Sequence, residues 1–120
     1  MVPESPLLNT RWVLHTLGDE VVPPTENYSA PDLLLKLETN SAEGNAGCNR
    51  FRGSFTRSGT EQLSFNRLLS TKMACPVLPT ESRYMSALGA TTRYQIKGDT
   101  LRLFGTDAVR PVAWFLAGRR

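Results

Sequence analysis

The chain has 120 residues, 40% of them hydrophobic, and a formal net charge of +3. This length suffices for one hydrophobic core and is too short for two, so we expect a single domain over residues 1–120. The longest apolar run, Val112 to Ala117, is far shorter than the roughly 20 residues that a transmembrane helix needs. A membrane-spanning helix and a second domain are therefore excluded.

Residues 1–8 form a polar, proline-containing spacer. This spacer contains neither the basic region nor the apolar stretch of an export signal. Either the protein is cytoplasmic, or a signal has been removed ahead of the spacer. We favour removal, because a Met followed by a polar spacer is typical of a mature domain expressed without its signal.

Charge is distributed unevenly along the chain. Residues 1–43 carry seven acidic and two basic side chains, whereas residues 44–120 carry four acidic and twelve basic ones. A basic region can suit an anionic partner such as lipid headgroups or nucleic acid. Because the basic residues are dispersed along the sequence, an ordinary solvated surface is the better interpretation.

Alternating hydrophobicity in the first third of the chain predicts two β-strands. Residues 11–17 alternate as a short strand, and the prolines within residues 18–32 indicate a loop. Residues 33–38 alternate again, as a half-buried strand does. Its core-facing side chains are predicted to be Leu33, Leu35 and Leu37.

The clearest alternation lies between residues 49 and 57. Phe51, Gly53 and Phe55 share the face predicted to be core, while Arg50 and Arg52 take the opposite, solvated face. A turn at residues 58–60 leads to a returning strand. That strand covers residues 62–65, with Leu63 and Phe65 inward, and a further short strand is predicted over residues 68–73.

One segment, near residues 80–89, is predicted to be helical. Thr80 is an acceptable N-cap, Glu81 suits the positive end of the helix dipole, and Gly89 can end the helix. Tyr84, Met85 and Leu88 form its apolar stripe. The rest is β again: a hairpin of residues 92–97 and 100–104 around the Gly98-Asp99 turn, then a strand over residues 112–116 with aromatic side chains on both faces.

These elements predict a mainly β (α+β) fold. About seven or eight short antiparallel strands would form a curled sheet or half-barrel, with the single helix covering one opening. A curled sheet needs glycines or bulges where it bends. Gly44, Gly47 and Gly53 are well placed for that role.

Two cysteine-containing segments carry a family resemblance. Gly47-Cys48-Asn49 is followed by Phe51 and Gly53, and Thr71-x-Met73-Ala74-Cys75-Pro76 is followed by Glu81. With these motifs the sequence resembles the META domain family, whose bacterial members include heat-shock-inducible HslJ-type lipoproteins. The early Trp12 and the hairpin of residues 94–103 fit the same pattern.

The resemblance implies a curved, barrel-like antiparallel fold with one helix. It also implies export to the periplasm, often with a lipid anchor in the outer membrane, and roles in stress response and in resistance to certain antibiotics. No established catalytic residues come with the family. The sequence has no lipid-accepting cysteine in its spacer.

Cys48 and Cys75 are the only two cysteines. In an exported protein a disulfide is the default. The chain-entropy model predicts that closing this loop would stabilise the folded state by about 3.5 kcal/mol. Two buried free thiols are the alternative in the cytoplasm. Strict alternation places Cys48 on the Arg50 face, so a bridge requires a bulge near Gly47 or a position at the barrel rim. We predict the disulfide.

Other chemistry has little support in the sequence. A zinc site needs about four ligands, and the two cysteines with His15 supply three. His15 is also the only histidine that could activate a cysteine, yet it lies in a strand among apolar residues. Asn45 and Asn49 are expected to stabilise turns. We therefore expect no catalytic residue, metal or cofactor, and no nucleic-acid binding, because Phe51 points away from its flanking arginines.

The sequence predicts a non-enzymatic, stress-associated binding or structural module of the cell envelope. We expect a monomer with an unknown protein or lipid partner, periplasmic or attached to the outer membrane. The alternative is a carrier of a lipid or small hydrophobic ligand inside the curled sheet, and a hydrolase or redox enzyme ranks third. The candidate lining of such a carrier is Phe51, Phe55, Phe65, Tyr94, Trp114 and Phe115.

Overall fold

A computed structural model describes residues 6–22, 30–47, 49–71, 78–107 and 109–118. Within these ranges the chain forms nine strands and one helix. In chain order these are β1 (Trp12–Leu17), β2 (Glu20–Val21), β3 (Asp32–Lys36), β4 (Ser41–Asn45), β5 (Arg50–Ser58), β6 (Gln62–Ser70), α1 (Leu78–Ala90), β7 (Arg93–Lys97), β8 (Thr100–Phe104) and β9 (Ala113–Ala117).

Eight of the strands form a closed antiparallel barrel. Their order is β1-β3-β4-β5-β6-β7-β8-β9, and β9 pairs back with β1. Strand β2 pairs only with the last two residues of β1. The predicted mainly β fold with one short helix is confirmed, and the half-barrel of the prediction is in fact closed.

Closure depends on pairing between β1 and β9. The register runs from Trp12↔Ala117 to Leu17↔Ala113 and shifts between Leu14 and Thr16, so that His15 is the extra residue of a bulge. The junction between β6 and β7 is much shorter, with Gln62↔Arg93 as its single register pair. Helix α1, which connects these two strands, packs against β6 and β1.

Large side chains fill the barrel interior. Burying one leucine side chain completely stabilises the folded state by about 1.5–3 kcal/mol relative to leaving it exposed. Leu33 and Leu35 are inside as predicted, but Leu37 is 55% exposed. The prediction for Leu37 was wrong because β3 ends at Lys36 and the chain turns at residues 37–40. The largest fully buried side chains are Trp12, Leu33, Leu35, Leu63, Tyr84, Leu88, Leu101, Leu103 and Phe115.

A bulge interrupts the long pairing between β5 and β6. The register passes from Arg52↔Leu69 to Ser54↔Asn66, so that Gly53 faces two residues of β6. A Cβ on Gly53 would come within 2.8 Å of the Asn66 carbonyl oxygen, which confirms the need for glycine at this bend. The two short strands predicted for residues 62–65 and 68–73 are thus one strand, β6, whose pairing continues past the bulge.

Helix α1 covers one end of the barrel. It begins at Leu78, so Thr80 lies in its first turn and the predicted N-cap was wrong. Tyr84 and Leu88 are fully buried and Met85 packs partly against the core, as the apolar stripe predicts. Among the described residues, no helix has the length and apolar character to cross a bilayer.

The N-terminal segment closes the opposite end, where β1 begins and β3 ends. Leu7 is buried, and its carbonyl oxygen accepts a hydrogen bond from the Trp12 indole nitrogen at 3.1 Å. The Asn9 backbone amide donates a hydrogen bond to the Leu35 carbonyl oxygen at 2.7 Å. Asn9 has a φ of 63°, a left-handed conformation that asparagine tolerates better than most residues.

Candidate functional site

A buried carboxylate joins helix α1 to the start of β5. Glu81 is 6% exposed, and its two carboxylate oxygens accept from the Asn49 backbone amide at 2.9 Å and from Asn49 Nδ2 at 2.7 Å. The Thr71 hydroxyl donates to Asn49 Oδ1 at 2.7 Å and accepts from the Arg50 amide at 3.2 Å. We call Asn49, Thr71 and Glu81 the Glu81 cluster. It joins three segments that are distant in sequence.

The turn that presents Asn49 is held by its own backbone. The Gly47 amide donates to Asn45 Oδ1 at 3.2 Å, and the Ala46 amide donates to the Asn49 carbonyl oxygen at 2.8 Å. Gly47 has a φ of 148°, a conformation in which glycine is favoured. The turn-stabilising role predicted for Asn45 is confirmed, whereas the side chain of Asn49 serves the Glu81 cluster.

A second polar cluster surrounds Asp32 at the same end of the barrel. Its carboxylate accepts a hydrogen bond from the Asn45 backbone amide at 2.7 Å and forms an ion pair with Arg11 at 2.8 Å. Its backbone carbonyl oxygen accepts a hydrogen bond from the Tyr84 hydroxyl at 2.6 Å. Gly44 packs so closely here that a Cβ would overlap the Asp32 carbonyl oxygen. Burial raises the pKa of the Tyr84 phenol well above its ordinary value, and the charge of Asp32 raises it further.

The polar side chains of the two clusters are satisfied by hydrogen bonds within the fold. Among the described residues, every buried side-chain nitrogen and oxygen has a hydrogen-bond partner. Hydrogen bonds to a charged group are stronger than neutral ones, and removing one partner of such a bond leaves a buried group unsatisfied. In the part of the chain that the structure describes, no three His, Cys, Asp or Glu side chains come together as metal ligands would.

His15 lies on the outer wall of the barrel, and none of its described contacts is with a residue of either cluster. Its ring stacks on Trp114 with ring centroids 4.2 Å apart and an interplanar angle of 22°. Its Nδ1 lies 2.7 Å from the Thr16 hydroxyl oxygen. His15 and Glu81, the two acid–base candidates of the sequence, therefore share no described contact.

A groove crosses the outer wall over β4, β5 and β6. It has a volume of about 300 Å³, and Leu69 lies in it with 75% of its surface exposed. Arg52 faces Glu43 on one neighbouring strand and Leu69 on the other. We call this feature the arginine groove. Its lining residues are Glu43, Arg50, Phe51, Arg52, Leu69, Ser70 and Thr71.

The family follows from comparison with known sequences. The sequence model of one protein family, the META domain, matches residues 5–116. The chain belongs to the META domain family. No protein of curated function matches this META domain.

Two solved structures share its fold. An NMR structure of a protein from Burkholderia xenovorans is similar, with 28% sequence identity and a TM-score of 0.75, over 95% of this chain and 85% of that one. A second NMR structure has 22% identity and a TM-score of 0.66, over 90% of this chain and 89% of the other. At 22% identity this second likeness speaks for the fold alone.

Most described motif residues of this META domain converge at the helix-covered end. Asn49, Thr71 and Glu81 form the Glu81 cluster, and Gly47 shapes the adjoining turn. Gly53 belongs instead to the bulge between β5 and β6. The remaining motif residues lie outside the described ranges, so the predicted disulfide stays a prediction; they are Cys48, Met73, Ala74, Cys75 and Pro76.

The six aromatic residues proposed to line a ligand cavity lie in different settings. Phe51, Phe55, Phe65 and Phe115 are packed in the core. Tyr94 is half-buried, and Trp114 stacks on His15 at the outer wall. Tyr84 contacts both Phe51 and Phe115, with ring centroids 5.8 and 6.0 Å apart, and so fills the space between them.

Sequence reasoning missed two features of the site. Asp32 was assigned to a loop, although it begins β3 and bonds to groups from three other segments. Leu69 was placed in a separate strand from Phe65, so its position beside Arg52 was not foreseen. The signal for Leu69 was available, because a bulge opposite Gly53 would have continued the strand to residue 70.

Proposed function

We propose that this META domain is a non-enzymatic binding or structural module of the bacterial cell envelope. In this proposal it acts in the periplasm or at the outer membrane, as a monomer, in the response to stress. The observation that carries the proposal is the Glu81 cluster, because the polar side chains of the family motif bond to one another within the fold. A motif used in this way stabilises a scaffold.

An enzymatic role has weaker support. A general base must come within hydrogen-bond distance of a substrate proton. Both oxygens of Glu81 already accept hydrogen bonds, and only 6% of the residue is exposed. His15 is held against Trp114 on the outer wall, with no carboxylate among its described hydrogen-bond and ring contacts. A carrier role is likewise disfavoured by the aromatic packing around Tyr84.

The envelope location rests on the family and on the two cysteines. A disulfide between Cys48 and Cys75 would form in an oxidising compartment and would be reduced in the cytosol. Such a bridge would tie the turn before β5 to the connection between β6 and α1. Those are the same segments that the Glu81 cluster joins by hydrogen bonds.

Cell fractionation combined with thiol labelling tests the location. Native protein is alkylated without reduction in periplasmic, membrane and cytoplasmic fractions and then weighed by mass spectrometry. We expect the protein in the envelope fractions with both cysteines unlabelled. A Cys75→Ser variant is the control, since its Cys48 should then take one label. Recovery in the cytoplasm with two labels would contradict the proposal.

Complementation tests the non-enzymatic part. A strain lacking the protein is supplied with His15→Ala or Glu81→Gln, after the abundance and Tm of each variant have been measured. We expect stress survival to follow the amount of folded protein. Loss of survival by a variant of unchanged abundance and Tm would instead indicate a catalytic role.

A further inference from the structure

The wall formed by β5 and β6 gathers basic residues that are dispersed in the sequence. Arg50 and Arg52 lie two positions apart on the outer face of β5, and Arg67 lies in the bulge opposite Gly53. All three are exposed, and none makes an ion pair with a described acidic residue. One wall thus carries three exposed guanidinium groups that have no ion pair within the described part of the chain.

The one acidic residue of the arginine groove is already paired. Glu43 forms a 3.0 Å ion pair with Lys36 on the neighbouring strand β3. Its charge is therefore partly neutralised from the side away from β5. With Arg50, Arg52 and one paired carboxylate, the lining of the groove carries a net positive formal charge.

Leu69 adds an apolar contact at the centre of these charges. It is 75% exposed and pairs in register with Arg52. The other large hydrophobic residues that are exposed among the described ones, Val21, Leu37, Val109 and Leu116, lie on other elements or loops. This wall thus combines one protruding leucine with cationic neighbours.

We propose that the β5–β6 wall docks on a bilayer containing anionic phospholipids. Leu69 enters the headgroup region, and Arg50, Arg52 and Arg67 contact lipid phosphates. Basic residues near an anionic membrane and a small apolar insertion act together in this kind of reversible binding. The inference deepens the proposed function, since it assigns a lipid partner to an envelope module.

Other macromolecular partners fit this wall less well. A stable protein interface buries about 800 Å² per partner around an apolar centre, and a single exposed leucine does not supply one. Single-stranded nucleic acid needs exposed aromatic side chains for stacking. Phe51, the aromatic residue between the two arginines of β5, is 3% exposed and lies in the core.

Vesicle cosedimentation with the purified chain tests the proposal. Vesicles of equal parts phosphatidylglycerol and phosphatidylcholine are compared with vesicles of phosphatidylcholine alone. We expect binding to the anionic vesicles only, weakening as salt is added. R50Q/R52Q should reduce the affinity about 25-fold, from about fivefold per arginine, and Leu69→Ser should reduce it about tenfold.

Matched variants on other walls control for net charge and hydrophobicity. K97Q/R110Q removes the same two charges, and Leu116→Ser removes an exposed leucine of β9. Both should bind like the parent, and all four variants should keep its Tm. Equal losses of affinity in R50Q/R52Q and K97Q/R110Q would overturn the proposal, as would equal binding of the parent to neutral and anionic vesicles.

A competition experiment separates a bilayer from an acidic protein. Polyglutamate at matched charge should displace the chain only weakly, because it offers no apolar layer for Leu69. Full displacement, together with unchanged vesicle binding by Leu69→Ser, would overturn the proposal in favour of an acidic polypeptide. These measurements do not depend on the cellular location, so their failure is distinguishable from failure of the envelope assignment.

Discussion

The two ends of the barrel are closed by different chemistry. At the helix-covered end, Glu81 of α1 bonds to Asn49 in the turn before β5, and Tyr84 of α1 bonds to Asp32 of β3. At the opposite end, the N-terminal segment inserts the side chain of Leu7 and bonds mainly through its backbone. One end thus depends on specific polar partners and the other on apolar packing.

This difference predicts unequal tolerance of substitution. A buried polar pair loses more than its bond when one partner is removed, because the remaining group stays desolvated. An apolar residue loses its transfer free energy together with the cost of the cavity, which shrinks where the structure can relax. We therefore expect the helix-covered end to be the more sensitive one.

The largest effect is expected for Glu81→Ala. The substitution leaves the Asn49 amide and side chain without their buried acceptor, and we expect the free energy of unfolding to fall by about 3 kcal/mol. Urea denaturation measures it. Glu61→Ala is the control, because Glu61 is exposed and its 3.7 Å pair with Arg93 should contribute under about 1 kcal/mol. Equal losses in the two variants would disprove a stabilising Glu81 cluster.

An intermediate effect is expected for Leu7→Ala at the opposite end. Truncation of this buried leucine should lower the free energy of unfolding by about 2 kcal/mol. Leu37→Ala is the matched control at the same end of the barrel, and its 55% exposure predicts a change below about 0.5 kcal/mol. If Leu7→Ala unfolds at the same urea concentration as the parent, the N-terminal segment does not close the barrel.

The smallest effect at neutral pH is expected for Tyr84→Phe, which removes the hydrogen bond to the Asp32 carbonyl oxygen. The loss should be about 1 kcal/mol. The pKa of Tyr84 is raised in the folded state, so the unfolded chain loses the phenol proton at a lower pH than the folded chain does. The contribution of the protonated Tyr84 to stability is therefore complete below pH about 10 and is lost as the pH rises toward the folded-state pKa.

Tyr84→Phe should therefore show a shallower fall in stability above pH about 10 than the parent does. Tyr94→Phe is the comparison, since Tyr94 is only half-buried. Thermal unfolding across this pH range measures both. Parallel pH profiles for the parent and Tyr84→Phe would show that the buried phenol does not control alkaline unfolding.

Local patterns predicted the hairpins well. The Gly98-Asp99 turn separates two alternating runs, and β8 has the predicted bounds while β7 begins one residue later. Gly98 has a φ of 62°, as a tight turn requires. Strand β4 was missed because Ala42 and Gly44 are small, so this segment shows no alternation of large apolar residues.

Features that depend on distant segments could not be predicted in the same way. Closure of the barrel follows from pairing between β1 and β9, for which the sequence carries no local signal. Glu81 was assigned only to the dipole of its own helix, whereas its partner Asn49 is 32 positions away. Family resemblance predicted the fold and the motif, but it did not indicate which motif residues bond to each other.

The pairing of β1 with β9 affects how the chain matures. Residues 12–17 are synthesised long before residues 113–117, so one hydrogen-bonding edge of β1 stays open until the last strand emerges. Nascent chains with open strand edges are prone to aggregate. Because non-local pairing is slow to form, protection of this edge during synthesis would limit aggregation until β9 pairs with it.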